Sequence, residues 1–154
     1  MNYLFDLDGL LINSEELYLD ANKVYFRQFG FEFSEDLHKQ GTGKKFAEWI
    51  KTVTDIDLDG QTILKERNKV YFELAETKLH LMPGAKDVLE YAKQNGKTAL
   101  VTSSNQDYVD FVFNHTGIAS YFEKVIAGDH VTKGKPDPEG YLMAAKDLGV
   151  EPAT

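Results

Sequence analysis

The sequence contains no cysteine and little positive charge. Without cysteine among its 154 residues, disulfide bonds, thiolate metal sites and a cysteine nucleophile are excluded. The 17 Lys and Arg residues against 25 Asp and Glu residues give a formal net charge of −8. A general nucleic-acid or anionic-membrane surface needs a basic footprint, so we predict neither partner. A local basic pocket is compatible with this balance.

Long apolar runs are also missing. The apolar segment 1–13 has no cationic flank and is interrupted by Asp6 and Asp8, which argues against a signal peptide. No run approaches the ~18 apolar residues that a membrane-spanning helix needs. At 42% hydrophobic and 27% charged residues, the composition is that of a globular domain. We predict a soluble, cytoplasmic protein.

The periodicity of apolar residues divides the chain into two kinds of segment. A short strand at 2–5 comes first, followed by helical patterns at 14–30, 34–40, 44–53 and 59–78. After residue 81, helices at about 85–96, 106–115 and 138–148 alternate with strands at 97–102 and 124–127. Such alternation predicts a parallel sheet with right-handed crossovers. We therefore predict an α/β Rossmann-like core of residues 1–13 and 81–154, split by an all-helical insertion of residues 14–80.

Two carboxylates follow the first predicted strand. Asp6 and Asp8 stand two residues apart before Gly9, where ligands of a parallel sheet bind. Two acids this close together take different roles: a divalent cation keeps one ionised, while the other exchanges protons. Carboxylate nucleophiles of this kind form aspartyl-phosphates in phosphoryl transfer. Ordinary loop carboxylates are the alternative.

Polar residues follow the other two predicted strands. Thr102 ends the second strand, and the helix that begins after Asn105 offers backbone N–H groups to an anion. Simple helix capping by Ser and Asn explains the same residues equally well. Lys135 follows the third strand, where an ammonium group could neutralise phosphate. Taken together, these positions point to one phosphate-handling site.

The motifs resemble those of the haloacid dehalogenase superfamily, in its phosphatase and beta-phosphoglucomutase branch with a helical cap. They are 3–15 (Tyr-Leu-Phe-Asp-Leu-Asp-Gly-Leu-Leu-Ile-Asn-Ser-Glu), 100–105 (Leu-Val-Thr-Ser-Ser-Asn) and 134–138 (Gly-Lys-Pro-Asp-Pro). Their order and spacing span essentially the whole chain.

The resemblance implies roles for individual residues. Asp6 would be the nucleophile and a Mg²⁺ ligand, and Asp8 the acid/base that also lends its backbone carbonyl to Mg²⁺. Thr102 would hydrogen-bond the phosphoryl group, and Lys135 would stabilise the charged intermediate. Further residues predicted to contact the substrate are Gly9, Ser103, Ser104, Asn105, Lys44 and Lys45. The implied activity is Mg²⁺-dependent hydrolysis of a small phosphorylated metabolite such as a sugar phosphate.

Two departures from the family pattern leave alternatives open. Tyr18 stands where the mutases have a histidine, which favours hydrolysis over a hexose-phosphate mutase. The fourth family motif would lie beyond residue 154, so we expect a core that is incomplete at its C-terminal end. The chain would then be a fragment of an ordinary phosphatase, a degenerate inactive remnant or interaction module, or one partner in an assembly. An exposed edge at the first strand would favour self-association.

Two further patterns allow other interpretations. Signalling receivers also combine Asp acceptors, a hydroxyl residue and a Lys-Pro pair. In receivers, however, the acceptor Asp ends a later strand, and no helical domain follows the first strand. The stretch from Asp55 to Glu66 satisfies the EF-hand expression, yet it offers no second loop. Within it, Asp59 is better explained as the cap of the helix that follows.

Overall fold

The structure, a computed structural model, describes residues 1–151. Its strands are β1 (Tyr3–Phe5), β2 (Thr98–Val101) and β3 (Lys124–Ile126). Its α-helices are α1 (Ser14–Arg27), α2 (Glu35–Gly41), α3 (Phe46–Val53), α4 (Gly60–Lys78), α5 (Ala85–Asn95), α6 (Gln106–Thr116) and α7 (Glu139–Asp147). The chain forms two compact units, one of Met1–Asn13 with the segment from Leu79 onward, and one of Ser14–Lys78. We call them the α/β unit and the helical unit.

The α/β unit contains a parallel sheet in the order β1-β2-β3. Phe5 lies opposite Leu100, and Val101 lies opposite Ile126. All four residues of β2 are buried, as expected for a central strand covered on both faces. Because the strands are parallel, their carboxyl ends lie at one edge of the sheet, and the chain leaves that edge through the loops after Phe5, Val101 and Ile126.

The helical unit is built around aromatic side chains. Its buried cluster consists of Tyr25, Phe26, Phe33, Trp49, Ile50 and Ile63. Two helix starts carry polar caps: Ser34 Oγ accepts from Leu37 N at 3.1 Å, and Asp59 Oδ1, the cap that the sequence suggests, accepts from Gln61 N and Thr62 N at 3.0 Å each. The Asp59 carboxylate is therefore occupied as a helix cap.

The predicted α/β class with a parallel sheet is confirmed, and most elements begin and end within a few residues of their predicted bounds. The α/β unit resumes at Leu79, where the patterns placed its return at 81. Two short 3-10 helices, Ala119–Tyr121 and Gly128–His130, were not predicted. Within residues 1–151, no helix combines the length and the apolarity that crossing a membrane requires.

Candidate active site

Asp6 lies at the carboxyl edge of the sheet, directly after β1. Its Oδ1 accepts a hydrogen bond from Leu7 N at 2.8 Å and lies 2.9 Å from Lys135 Nζ. Both contacts fall on the same oxygen, and none of residues 1–151 hydrogen-bonds to the other oxygen, Oδ2. With its side chain 43% exposed, Asp6 keeps one carboxylate oxygen accessible to a reactant.

Lys135 follows β3 in the chain and contacts the ends of both other strands, β1 and β2. Its Nζ donates to the carbonyl of Val101, the last residue of β2, at 2.9 Å, as well as contacting Asp6. The ammonium also lies 5.2 Å from the centroid of the Tyr141 ring. Burial lowers the pKa of Lys135, but hydrogen bonds to Asp6 and Tyr141 and the charge of Asp6 outweigh it, so the pKa is raised overall. The site therefore holds a fixed cation at neutral pH.

The Asp8 carboxylate is held on both oxygens by residues that follow β2. Ser104 Oγ donates to Oδ2 at 2.8 Å, and the Tyr108 hydroxyl donates to Oδ1 at 3.2 Å. These donors come from the loop before α6 and from its first turn. They fix the orientation of the carboxylate in a way that the sequence near Asp8 does not reveal.

Thr102 begins the loop between β2 and α6. Its side chain is 4% exposed, its N–H donates to Ile126 O at 3.0 Å, and its hydroxyl oxygen accepts from Ser104 N at 3.1 Å. The loop is also held from the β3 side, because Gly128 N donates to Ser104 O at 2.7 Å. Only glycine fits at 128, since a Cβ there would lie 2.2 Å from the Ser103 carbonyl oxygen.

The start of α6 is already capped. Asn105 Oδ1 accepts from Tyr108 N at 3.0 Å, and Asp129 Oδ1 accepts from Gln106 N at 3.0 Å. These two N–H groups are therefore unavailable to an anion, which agrees with the alternative explanation of Asn105 as a helix cap. An anion near Thr102 would have to use the loop before the helix instead.

The other predicted site residues fall in both units. Gly9 occupies the turn after Asp8 with φ of +69°, the left-handed region that favours glycine. Lys44 and Lys45 belong to the helical unit. Lys44 Nζ lies 5.9 Å from the Trp49 ring centroid, and Lys45 precedes α3 and lies 3.6 Å from a Glu48 carboxylate oxygen.

Sequence reasoning missed three contributors to this site. Tyr108 stands four residues after Ser104, in the first turn of α6, but nothing in the sequence pairs it with Asp8. Tyr141 lies beside Lys135, and the Val101 carbonyl holds the ammonium group. Backbone carbonyls carry no sequence signal, so only the fold could identify the last of these.

The fold and the site together define the class of protein. It is an α/β protein in which carboxylate, hydroxyl and ammonium groups cluster at the carboxyl edge of a parallel sheet. The chain belongs to the haloacid dehalogenase-like hydrolase family, whose model matches residues 3–154. The resemblance in the motifs is thereby confirmed.

Similar proteins include a phosphorylated carbohydrates phosphatase from Thermotoga maritima, 30% identical over 97% of this chain and 71% of that protein. A solved structure from the same organism, provisionally assigned as a beta-phosphoglucomutase, is 29% identical with a TM-score of 0.82, covering 99% of this chain and 73% of that one. CbbY from Rhodobacter sphaeroides, solved in complex with phosphate, is 26% identical with a TM-score of 0.74, covering 97% and 72%.

Proposed function

We propose that the protein is a Mg²⁺-dependent phosphatase that hydrolyses a small phosphorylated carbohydrate through an aspartyl-phosphate on Asp6. The observation that carries the proposal is the 2.9 Å contact between Asp6 Oδ1 and Lys135 Nζ at the sheet's carboxyl edge. It sets a carboxylate nucleophile beside a fixed positive charge, as phosphoryl transfer requires. Similarity to the Thermotoga carbohydrate phosphatase supports the substrate class.

In the first step, Asp6 Oδ2 attacks phosphorus and the bond from phosphorus to the alcohol oxygen breaks. Asp8 gives its proton to that oxygen, so the alcohol leaves neutral. In the second step, water attacks the aspartyl-phosphate, Asp8 takes a proton from the water, and the bond from Asp6 to phosphorus breaks. The two donors on Asp8 keep its carboxylate in one orientation for both transfers.

Lys135 and Thr102 act on the phosphoryl group in this proposal. The Lys135 ammonium neutralises negative charge that accumulates on the phosphoryl oxygens. The nearly buried Thr102 hydroxyl accepts a bond from Ser104 N and still has its own O–H to donate. Both groups are held by backbone contacts within the sheet edge, so little reorganisation accompanies the reaction.

The proposed Mg²⁺ ligands are the Asp6 carboxylate and the Asp8 backbone carbonyl. Within residues 1–151, no cluster of three or more His, Cys, Asp and Glu side chains could enclose a metal ion. Mg²⁺ does not require such a cluster, because it is commonly bound by one or two carboxylates together with waters and substrate phosphate oxygens. The donors present fit that pattern, and the bound cation would offset phosphate charge.

A hexose-phosphate mutase is the second candidate function. It is favoured by similarity to the Thermotoga maritima structure that is provisionally assigned as a beta-phosphoglucomutase. Tyr18 counts against it, because a phenol does not exchange protons near neutral pH as an imidazole does. The Tyr18 ring stacks on Tyr71 with centroids 4.2 Å apart. Product analysis with a sugar 1-phosphate separates the two: hydrolysis releases inorganic phosphate, whereas a mutase yields an isomeric sugar phosphate.

The deciding experiment measures phosphate release from a panel of sugar phosphates and a chromogenic phosphate ester, with Mg²⁺ and after chelation by EDTA. We expect activity that is lost with EDTA, restored by Mg²⁺ and abolished in Asp6→Asn. Asp87→Asn, an exposed carboxylate on α5, is the matched control and should retain full activity. Unchanged activity in Asp6→Asn would refute the nucleophile, and no turnover with no Mg²⁺ binding would favour an inactive remnant or interaction module.

A further inference from the structure

The turn that follows β3 is closed by two reciprocal hydrogen bonds. His130 N donates to the Ala127 carbonyl at 3.0 Å, and Ala127 N donates back to His130 Nδ1 at 3.1 Å. These bonds span the 3-10 helix Gly128–His130, so the residues of that helix have a fixed place relative to the end of β3. Asp129, its exposed middle residue, belongs to none of the three family motifs.

Asp129 joins this turn to the first residue of α6. Its Oδ1 accepts a hydrogen bond from Gln106 N at 3.0 Å, although 23 residues separate the two in the chain. Within residues 1–151 the Asp129 carboxylate forms no ion pair, so this backbone N–H is the partner that holds it. The first N–H groups of an α-helix have no partner within the helix, and the positive end of the helix dipole favours a carboxylate there. Asp129 is thus a helix cap supplied by the loop after a neighbouring strand.

The Asp129 contact is one of three links between the segments that follow β2 and β3. The other two are backbone hydrogen bonds, from Thr102 N to Ile126 O at 3.0 Å and from Gly128 N to Ser104 O at 2.7 Å. On the β2 side, the three links fall at every second residue from 102 to 106. The position of the start of α6 therefore depends on the turn after β3.

Gln106 lies midway in the chain between the two residues that hold Asp8. Ser104 Oγ donates to one oxygen of the Asp8 carboxylate at 2.8 Å, and the Tyr108 hydroxyl donates to the other at 3.2 Å. Each donor stands two residues from Gln106, one before it and one after it. A displacement of Gln106 would therefore move both donors relative to Asp8, whose own position is set by β1.

We infer that Asp129 is a positioning residue for the proposed acid/base. By holding the start of α6, it keeps Ser104 and Tyr108 at hydrogen-bonding distance from the Asp8 carboxylate. The catalytic part of this inference rests on the proposed function, in which Asp8 protonates the leaving alcohol. A role in stability alone is the alternative, because any helix cap contributes to folding.

Substitutions of the acceptor test the inference by steady-state kinetics with an alkyl phosphate and a nitrophenyl phosphate. Asp129→Ala should lower kcat for the alkyl phosphate by about fivefold or more and for the nitrophenyl phosphate by less than about twofold, because only the alkyl leaving group needs a proton from Asp8. Asp129→Asn keeps an oxygen acceptor at the same place and should restore the rates for both esters. A cap that contributed only stability would lower both rates equally or leave both unchanged.

Substitutions of the donor test the same contact from its other side. Gln106→Pro removes the N–H, and proline is well tolerated at the first position of a helix, where the extended backbone of Asn105 before it is compatible with the ring. This variant should reproduce the rates of Asp129→Ala, and it carries the test if Asp129→Ala fails to fold. The double variant should lie within about twofold of either single variant, because both changes remove the same bond. Gln106→Ala keeps the N–H and should behave like the wild type.

Asp110→Ala is the matched control for Asp129→Ala. Asp110 Oδ1 also accepts from Gln106, at 2.7 Å, but from the side-chain Nε2 and within the same helix. The variant removes an exposed carboxylate without cutting a link to the turn after β3, so it should keep the wild-type rates for both esters. Unchanged rates or an equal loss for both esters in a folded Asp129→Ala would overturn the inference. Losses from Asp129→Ala and Gln106→Pro that multiply in the double variant would overturn it as well.

A measurement that needs no turnover separates this inference from the proposed function. The ¹³C signal of the Asp8 carboxyl carbon, assigned by its loss in Asp8→Asn, reports on the hydrogen bonds that the carboxylate accepts. It should shift in Asp129→Ala and in Gln106→Pro and stay in place in Asp110→Ala. These shifts in a protein without phosphatase activity would refute the proposed function and still support Asp129 as the residue that positions the donors to Asp8. An unmoved signal would overturn the inference whether or not the protein is an active phosphatase.

Discussion

Tyr108 and Asp8 are joined by a hydrogen bond of 3.2 Å between the phenol hydroxyl and Oδ1, although 100 residues separate them in the chain. Ser104 holds the other carboxylate oxygen at 2.8 Å. The α6 segment therefore orients a side chain whose own position is set by β1. This arrangement makes Tyr108 a positioning residue for the proposed acid/base.

Tyr108→Phe removes one of these two donors and keeps the ring. A hydrogen bond to a charged group contributes about 1.5–3 kcal/mol, so we expect kcat to fall by about tenfold or more. Because Asp8 would protonate the leaving alcohol, the loss should be larger for alkyl phosphates than for a nitrophenyl phosphate, which needs little protonation. Steady-state kinetics with both ester classes measures the difference.

Tyr121→Phe is the matched control for that change. It removes a phenol hydroxyl that lies 3.2 Å from the Glu90 carboxylate, in the same unit but on its exposed surface. This variant should keep the wild-type rates. An equal loss for both ester classes in Tyr108→Phe would show that the residue does not act through proton transfer by Asp8.

Lys135→Met removes the cation beside Asp6 and leaves the Val101 carbonyl without its side-chain donor. Losing such a partner costs about 1–3 kcal/mol of unfolding free energy. The folded-state pKa of Lys135 is raised, so this stabilisation is complete below the unfolded pKa of about 10.4 and disappears as pH rises through the folded pKa.

Urea unfolding of wild type and Lys135→Met between pH 8 and pH 11.5 measures this effect. The difference in unfolding free energy should be largest at pH 8 and shrink at the alkaline end. Lys133→Met is the control, because that side chain is 74% exposed and lies 4.0 Å from Asp137, where an ion pair contributes little. A difference that grows with pH would contradict the ion pair.

Gly128→Ala should displace the loop that carries Thr102 and Ser104. A Cβ at this position would lie 2.2 Å from the Ser103 carbonyl oxygen, a backbone atom that cannot rotate away. Overpacking of this kind costs about 1–3 kcal/mol, and we expect kcat to fall with the shift of the loop. Thermal unfolding and steady-state kinetics report the two effects.

Gly134→Ala serves as the comparison for Gly128→Ala. A Cβ at 134 meets no atom of residues 1–151 within 4 Å, so the same added methyl group should leave the melting temperature almost unchanged. Equal stability of the two variants would mean that the close approach of Gly128 to Ser103 does not hold the loop.

Asp59→Ala should destabilise the helical unit by removing the cap of α4. Hydrogen bonds from the side chain and backbone of Thr62 lower the pKa of Asp59 below the ordinary range of an aspartate. The stabilisation is therefore present at neutral pH and is lost as pH falls through that lowered value. Differential melting at pH 7 and pH 2.5 should show a gap at the first pH that is smaller at the second.

Asp57→Ala, two residues away and exposed, is the control for the capping role. It should melt like the wild type at both pH values. If calcium raised the melting temperature of the wild type and both substitutions removed that rise, the segment would bind the ion as an EF-hand-like loop instead.

The elements of the α/β unit could be predicted because their signals are local. Each strand is a short apolar run that stops at polar residues, and each helix begins at a capping residue or after proline or glycine. Asp6, Thr102 and Lys135 could be assigned to one edge from the same patterns, since the carboxyl ends of parallel strands meet there. The short 3-10 helices lack such periodicity and were missed.

The state of each side chain within the site could not be predicted. The sequence leaves open whether the start of α6 binds an anion or is capped by its own Ser and Asn residues, and it does not indicate that Asp129, 23 residues away, accepts from Gln106 N. It suggests no partner for Asp8, whereas Tyr108 and Ser104 occupy both carboxylate oxygens. Contacts between distant segments depend on packing, which local patterns do not encode.

By itself, the sequence determined the family, the order of helices and strands, and which acidic, hydroxyl and basic residues end the strands, because those properties follow from local periodicity and short motifs. Only the tertiary structure decided that Lys135 bridges Asp6 and the Val101 carbonyl, that α6 holds Asp8, and that Arg67 is buried against the rings of Tyr18 and Phe46. Burial and hydrogen-bond pairing arise when segments far apart in the chain pack together, so they exist only in the folded molecule.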